Sequence, residues 1–172
     1  LRGKTLVHVN STRMGGGVAE ILDKLVPLSR ELGIDTRWEV ITGDSDFYQC
    51  TKNFHNAIQG NRVATSEKLL DHFLEVNEQN AVQLRPILEE ADYVIIHDPQ
   101  PMALLSFCPK RKGKWIWRCH IDASHPHRGT WRFIDRFIRN YDASIFSLPQ
   151  FVQKLPHPSY IVSPSIDPLS EK

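Results

Sequence analysis

Apolar residues recur along the chain with two alternating periods, and the alternation predicts strands separated by helices. Leu6-Val7-His8-Val9 follows Lys4-Thr5 and passes straight into polar, glycine-rich residues, the pattern of a short buried strand ending in a loop. Val18, Ile21, Leu22, Leu25, Val26, Leu28 and Leu32 then fall at three- and four-residue spacing, which predicts a helix over 18–32 with Pro27 as a kink and Gly33 as a stop. From Thr36 to Ile41 the period is two, with Arg37 and Glu39 between Trp38 and Val40, and Gly43 ends this second strand. Ser66 to Glu90 is polar with intermittent apolar positions such as Leu70, Phe73 and Leu74, and reads as one long or broken helix.

Farther on, Tyr93-Val94-Ile95-Ile96 is a continuous apolar run bounded by Asp92 and His97-Asp98-Pro99, as in a strand covered on both faces. Trp115-Ile116-Trp117 repeats the pattern. Trp131, Phe133, Ile134, Phe137, Ile138 and Tyr141 have helical spacing within 130–141, and 143–146 and 160–162 complete the strand candidates. Strands alternating with helices need crossover connections, and right-handed crossovers produce a mostly parallel sheet. The fold class is therefore α/β, a Rossmann-like three-layer sandwich. Ligands of such sheets bind beyond the carboxyl ends of the strands, so the residues just after each strand carry the functional information.

Length and composition narrow the function classes. The 172 residues suffice for one substantial core. With 21 basic and 20 acidic residues the formal charge is +1, too small a field to recruit nucleic acid or an anionic membrane. No apolar run approaches the roughly 18 residues of a membrane span, and the first residues carry no signal-peptide pattern, so the expected address is cytoplasmic. Cys50, Cys108 and Cys119 are odd in number and lack C-x-x-C spacing, which predicts reduced thiols.

The first strand leads into Asn10-Ser11-Thr12-Arg13-Met14-Gly15-Gly16-Gly17, and the glycine triplet opens into the predicted helix. Glycines there allow close approach of a ligand, and the helix amino terminus offers unpaired N–H groups. A flexible turn is the bland alternative. The spacing fits neither G-x-G-x-x-G nor a Walker loop, and with no ribose-binding acid this argues against an oxidoreductase. Two strands end alike, in His97-Asp98-Pro99-Gln100-Pro101 and Arg118-Cys119-His120-Ile121-Asp122. Histidine and carboxylate groups on one sheet edge can bind several hydroxyls of a small polar molecule. The competing reading has each histidine satisfying a carbonyl and each aspartate capping a helix. Lys52, His55, Asn56 and Gln59 recur along one helix face, where amides and imidazole outnumber charges. His125-Pro126-His127-Arg128 reads as a surface turn. Metal binding has little support, because no ligand pair sits at helical or C-x-x-C spacing.

Taken together, several segments resemble the glycosyl-transferring trehalose synthases of the retaining family-4 glycosyltransferases. They are His8-Val9-Asn10-Ser11, 15–22, Thr51 with Phe54-His55-Asn56 and Gln59-Gly60, His97 to Pro101, Trp115 to Asp122, and Pro164 to Lys172. The resemblance implies one half of a GT-B type enzyme, in which two Rossmann-like domains face each other across a cleft. It places Gly15, Gly16 and Gly17 beside the phosphates and sugar of a donor, and His120 by the reacting centre. His55, Asn56, Asp98, Gln100 and Asp122 become acceptor-binding candidates. Residues 1–163 would form the amino-terminal, acceptor-side domain and 164–172 the start of a linker, with the carboxy-terminal nucleotide-sugar domain absent and the isolated chain inactive. The implied reaction moves glucose from a nucleoside-diphosphate glucose to glucose, giving trehalose with retention and without a metal. A trehalose phosphorylase domain and a stand-alone sugar-binding module are the alternatives. The expected partners are a sugar, a nucleotide-sugar and the missing domain, with a second copy of the chain as a further candidate.

Overall fold

Thr5–Asn10 forms β1, and its alternation sorts side chains between two environments. Val7 and Val9 point to one face of the sheet and Leu6, His8 and Asn10 to the other. The computed structural model describes residues 1–164. In it β1 is the second strand of a six-stranded, wholly parallel sheet, with β2 (Asp35–Val40) at the edge on one side and, in order on the other, β3 (Tyr93–His97), β4 (Lys114–Cys119), β5 (Ala143–Phe146) and β6 (Ser159–Ile161). The expected linker, except Pro164, lies outside the described residues.

On the Val7 face lie α2 (Ser45–Ile58), α3 (Glu67–Leu88) and α4 (Arg128–Ile138). They bury Val94, Ile96, Trp115, Trp117 and Phe146 of the sheet beneath Phe47, Phe54, Phe73 and Ile134. Both α2 and α3 start at side-chain caps, where Asp44 accepts from the Phe47 N–H at 2.9 Å and Ser66 from the Leu69 N–H. Asn80 of α3 then mimics a strand. Its amide donates to the Thr42 carbonyl and its oxygen accepts the Thr42 N–H, each at 2.8 Å, which holds the chain leaving β2.

The opposite face is covered by α1 (Gly17–Glu31), which runs unbroken through Pro27. Ala19, Leu22 and Val26 pack on Trp38 as a separate small core. Only part of the predicted apolar stripe is used: Leu25, Leu28 and Leu32 face solvent, because a single helix lying on a sheet buries a narrower arc than the stripe spans. The remaining elements match the periodicity closely, and α3 is one helix of 22 residues rather than two. The first half of α2 was hidden, since polar Ser45, Asp46 and Gln49 mask its spacing of Phe47, Cys50 and Phe54. All three cysteines are buried free thiols, and burial pushes Cys50 up to about 12 and Cys108 up to about 11.

Candidate functional site

Between β1 and α1 the chain turns through Gly15 at φ 73° and Gly16 at φ 102°, conformations that a Cβ disfavours. Gly16 is the N-cap of α1 and provides no side chain, so the first N–H groups of α1 have no side-chain cap. The rest of the loop is fastened to the fold. Trp38 Nε1 donates to Asn10 Oδ1 at 2.8 Å, and the Asn10 amide donates to the Thr12 carbonyl at 2.8 Å. Arg13 lies 4.1 Å over the Trp38 ring and donates to its carbonyl, while the Tyr48 hydroxyl donates to the carbonyl of Ser11.

Asp98 follows β3 at φ 63°, the one non-glycine residue in the left-handed region among those described. Three hydrogen bonds hold it there. Its N–H donates to the Arg118 carbonyl at 2.9 Å, its carbonyl accepts from Trp117 Nε1 at 3.0 Å, and its carboxylate accepts the His120 N–H at 2.7 Å. Burial raises its pKa to about 7, against the opposing pull of the His120 N–H and the Arg118 guanidinium. Asp98 therefore bridges two strand ends instead of capping a helix. Asp122 is closer to the bland expectation, since its carboxylate accepts from the N–H and hydroxyl of Ser124 in a local turn.

His8, His97 and His120 form a continuous row. His8 Nδ1 lies 3.0 Å from His97 Nε2, and His97 Nδ1 lies 2.9 Å from His120 Nε2, with ring centroids 5.2 Å apart at each step. Burial holds His8 and His120 down to about 4 and His97 well below its ordinary value, and the Arg118 charge pushes the latter two the same way. At neutral pH the row is uncharged.

These elements frame a single cleft of about 470 Å³ at the carboxyl edge of the sheet. Gly15, Gly16, Gly17, His55, Asp98, Gln100, His120 and Asp122 all line it, whereas Asn56 does not and Gln59 does. The difference follows from α2: its end presents His55 and the C-cap Gln59, four residues apart, to the cleft. Gln100 is held by its carbonyl, which accepts from the Asn77 amide of α3. Asn10, Ser11, Thr12, Ile121 and Ser147 also line the cleft. Ser147 sits just past β5, where the strand-end rule would have found it. Among the described lining residues there is no lysine or arginine, and the α1 amino terminus presents the positive end of its dipole to the cleft. Among the described residues no group of three or more His, Cys, Asp or Glu side chains is arranged to hold a metal ion. No helix among them is long and apolar enough to cross a membrane.

Comparison with known proteins bears on the family and the fold. The family described as "Trehalose synthase, N-terminal domain" matches residues 8–153. Curated proteins named trehalose synthase from Pyrococcus horikoshii and Thermococcus litoralis are 51% and 50% identical over 100% of the chain. The chain spans 41% and 42% of their lengths. In fold it is similar to a crystal structure of an α,α-trehalose-phosphate synthase (UDP-forming) from Burkholderia xenovorans in complex with glucose-6-phosphate. The TM-score is 0.64 at 16% identity, covering 86% of this chain and 41% of that one.

Proposed function

The chain belongs to the family of trehalose synthase N-terminal domains, and from that premise we propose that its cleft orients a glucose acceptor against the sugar and diphosphate of a nucleoside-diphosphate glucose. The protein then transfers the glucosyl unit to that glucose, forming trehalose with retention. The observation that carries this reading is the convergence of the glycine loop, Asp98, Gln100, His120 and Asp122 on one cleft of ligand size.

Each group has a role in this proposal. The uncapped start of α1 directs N–H groups and the positive end of its dipole at the diphosphate. Asp98, Gln100, Asp122 and His55 bind acceptor hydroxyls, and His120 lies beside the transferred sugar. The bond between the anomeric carbon and the diphosphate oxygen breaks as the acceptor oxygen attacks from the same face, and the acceptor proton passes to the departing diphosphate. The protein supplies positioning and stabilises developing charge. The described lining has no lysine or arginine, which favours an unphosphorylated acceptor, because a sugar phosphate would find no cation among these residues to pair with.

Because the chain spans less than half the length of its curated relatives, the test uses the full-length protein. It is incubated with glucose and UDP-, ADP- or GDP-glucose, and the products are read by NMR. The expected result is a non-reducing α,α-linked disaccharide together with the free nucleoside diphosphate. Phosphate-dependent cleavage of trehalose with no nucleotide-dependent synthesis would assign a phosphorylase instead, and sugar binding without turnover would leave a binding module.

A further inference from the structure

We propose that His8 and His97 are positioning residues that hold His120 in one tautomer, with its ring proton on Nδ1, presented to the cleft as a hydrogen-bond donor.

The sheet register builds the row. His8 on β1 pairs with Ile95 on β3, so His97 is the diagonal neighbour two residues farther along. His97 pairs with Arg118 on β4, and His120 again lies two residues farther along. Steps of two keep all three imidazoles on the α1 face while the row climbs from inside the sheet to its carboxyl edge. His8 and His97 are buried, at 1% and 4% exposure, and His120 lines the cleft.

Proton counting then decides the order. Three neutral imidazoles carry three N–H protons on six nitrogens, and each of the two N···N contacts needs one proton. A proton at both outer nitrogens would leave one contact with two lone pairs facing each other, which is repulsive. The third proton therefore sits at one end only, on His8 Nε2 or on His120 Nδ1. His8 Nε2 is buried and has no hydrogen-bond partner among the described residues. An orphaned buried N–H is disfavoured more strongly than an unused acceptor. His8 Nδ1 thus donates to His97 Nε2, His97 Nδ1 donates to His120 Nε2, and the remaining N–H is His120 Nδ1. That nitrogen has no protein partner among the described residues and serves a ligand oxygen. The Asp98 carboxylate accepts the backbone N–H of His120, and the Arg118 charge opposes protonation of His97 and His120.

The tautomer order is independent of the proposed reaction, whereas the nature of the ligand oxygen rests on that reading. Long-range ¹⁵N–¹H correlation spectra of the full-length protein labelled at histidine separate the two questions. The expected result at pH 7 is Nδ1–H on all three residues. A proton on His120 Nε2, or a charged His120, overturns the proposal. In His97→Leu the two His120 nitrogens should move to the averaged shifts of exchanging tautomers. His97→Asn, whose amide N–H replaces Nδ1–H, should restore the single state. A single, unchanged His120 tautomer in a folded His97→Leu variant also overturns the proposal, and if that variant does not fold the wild-type spectrum decides alone. Should the tautomers be as stated but His120 stay unperturbed by any nucleoside-diphosphate glucose, the relay stands and the sugar-transfer reading falls.

Discussion

At Gly16 the backbone takes φ 102° and ψ 148°, yet a Cβ built there would meet no atom within 4 Å. The requirement for glycine is therefore conformational and not one of space. Gly16→Ala should strain this position by about 1–3 kcal/mol and shift the start of α1. The expected outcome is weaker nucleotide-sugar affinity, seen as a raised donor KM in the full-length protein with the acceptor KM much less affected. Equal loss for both substrates would show that the loop does not face the donor. Asp98, a non-glycine at positive φ, is the residue of the site whose own backbone is strained. Its three hydrogen bonds hold the left-handed conformation, and aspartate tolerates it better than most side chains.

Among the helices, the side of the cleft formed by α2 depends on a cluster of phenylalanines well below it. Phe73 of α3 is fully buried and its ring meets those of Phe47, Phe54, Phe133 and Phe137, which tie α2, α3 and α4 together. Phe73→Ala removes the shared element of that cluster and should cost about 3–5 kcal/mol, measured as a lower urea midpoint at similar m-value. Because α2 carries His55 to the cleft, the loss should also weaken sugar binding at temperatures where the variant is still folded. The period of the apolar residues made α3 and α4 legible in the sequence. The packing of α2 against both was not, since periodicity identifies a helix's buried face without saying which helix covers it.

For the whole molecule, the pH dependence of stability follows from the buried titratable groups. His8 and His120 are held down to about 4, and His97 well below its ordinary 6.5. Between pH 6.5 and 4 the unfolded chain binds protons that the folded chain refuses, so the stability present above pH 6.5 is lost on acidification. His55 and His157, also lowered by burial, add to this, while half-buried His72 is raised by its hydrogen bond to Asp44 and opposes it. Asp98, raised from 3.8 to about 7, has the opposite sign, because the folded state keeps a proton that the unfolded chain has released. With the histidines in the majority, the thermal midpoint should fall as the pH drops from 6.5 to 4. Asp98→Asn removes the opposing contribution and should make that fall steeper, which thermal scans at several pH values would check. A flat profile in both proteins would mean that the histidine row is protonated in the folded state.

Short-range information in the chain determined the elements, their order and the edge on which chemistry would lie. Strand and helix periods are local, and a parallel sheet built from them exposes residues such as Gly15, Asp98 and His120 at the same end. Tertiary structure alone decided which of these residues meet. Asn56 and Gln59 share one helix face in the sequence pattern, but only the seating of α2 against its neighbours puts Gln59 in the cleft and leaves Asn56 out. Likewise nothing local links His8, His97 and His120, which lie up to 112 residues apart by their numbers. Their contact depends on the register of three parallel strands, a long-range property that the alternation of apolar and polar residues does not encode.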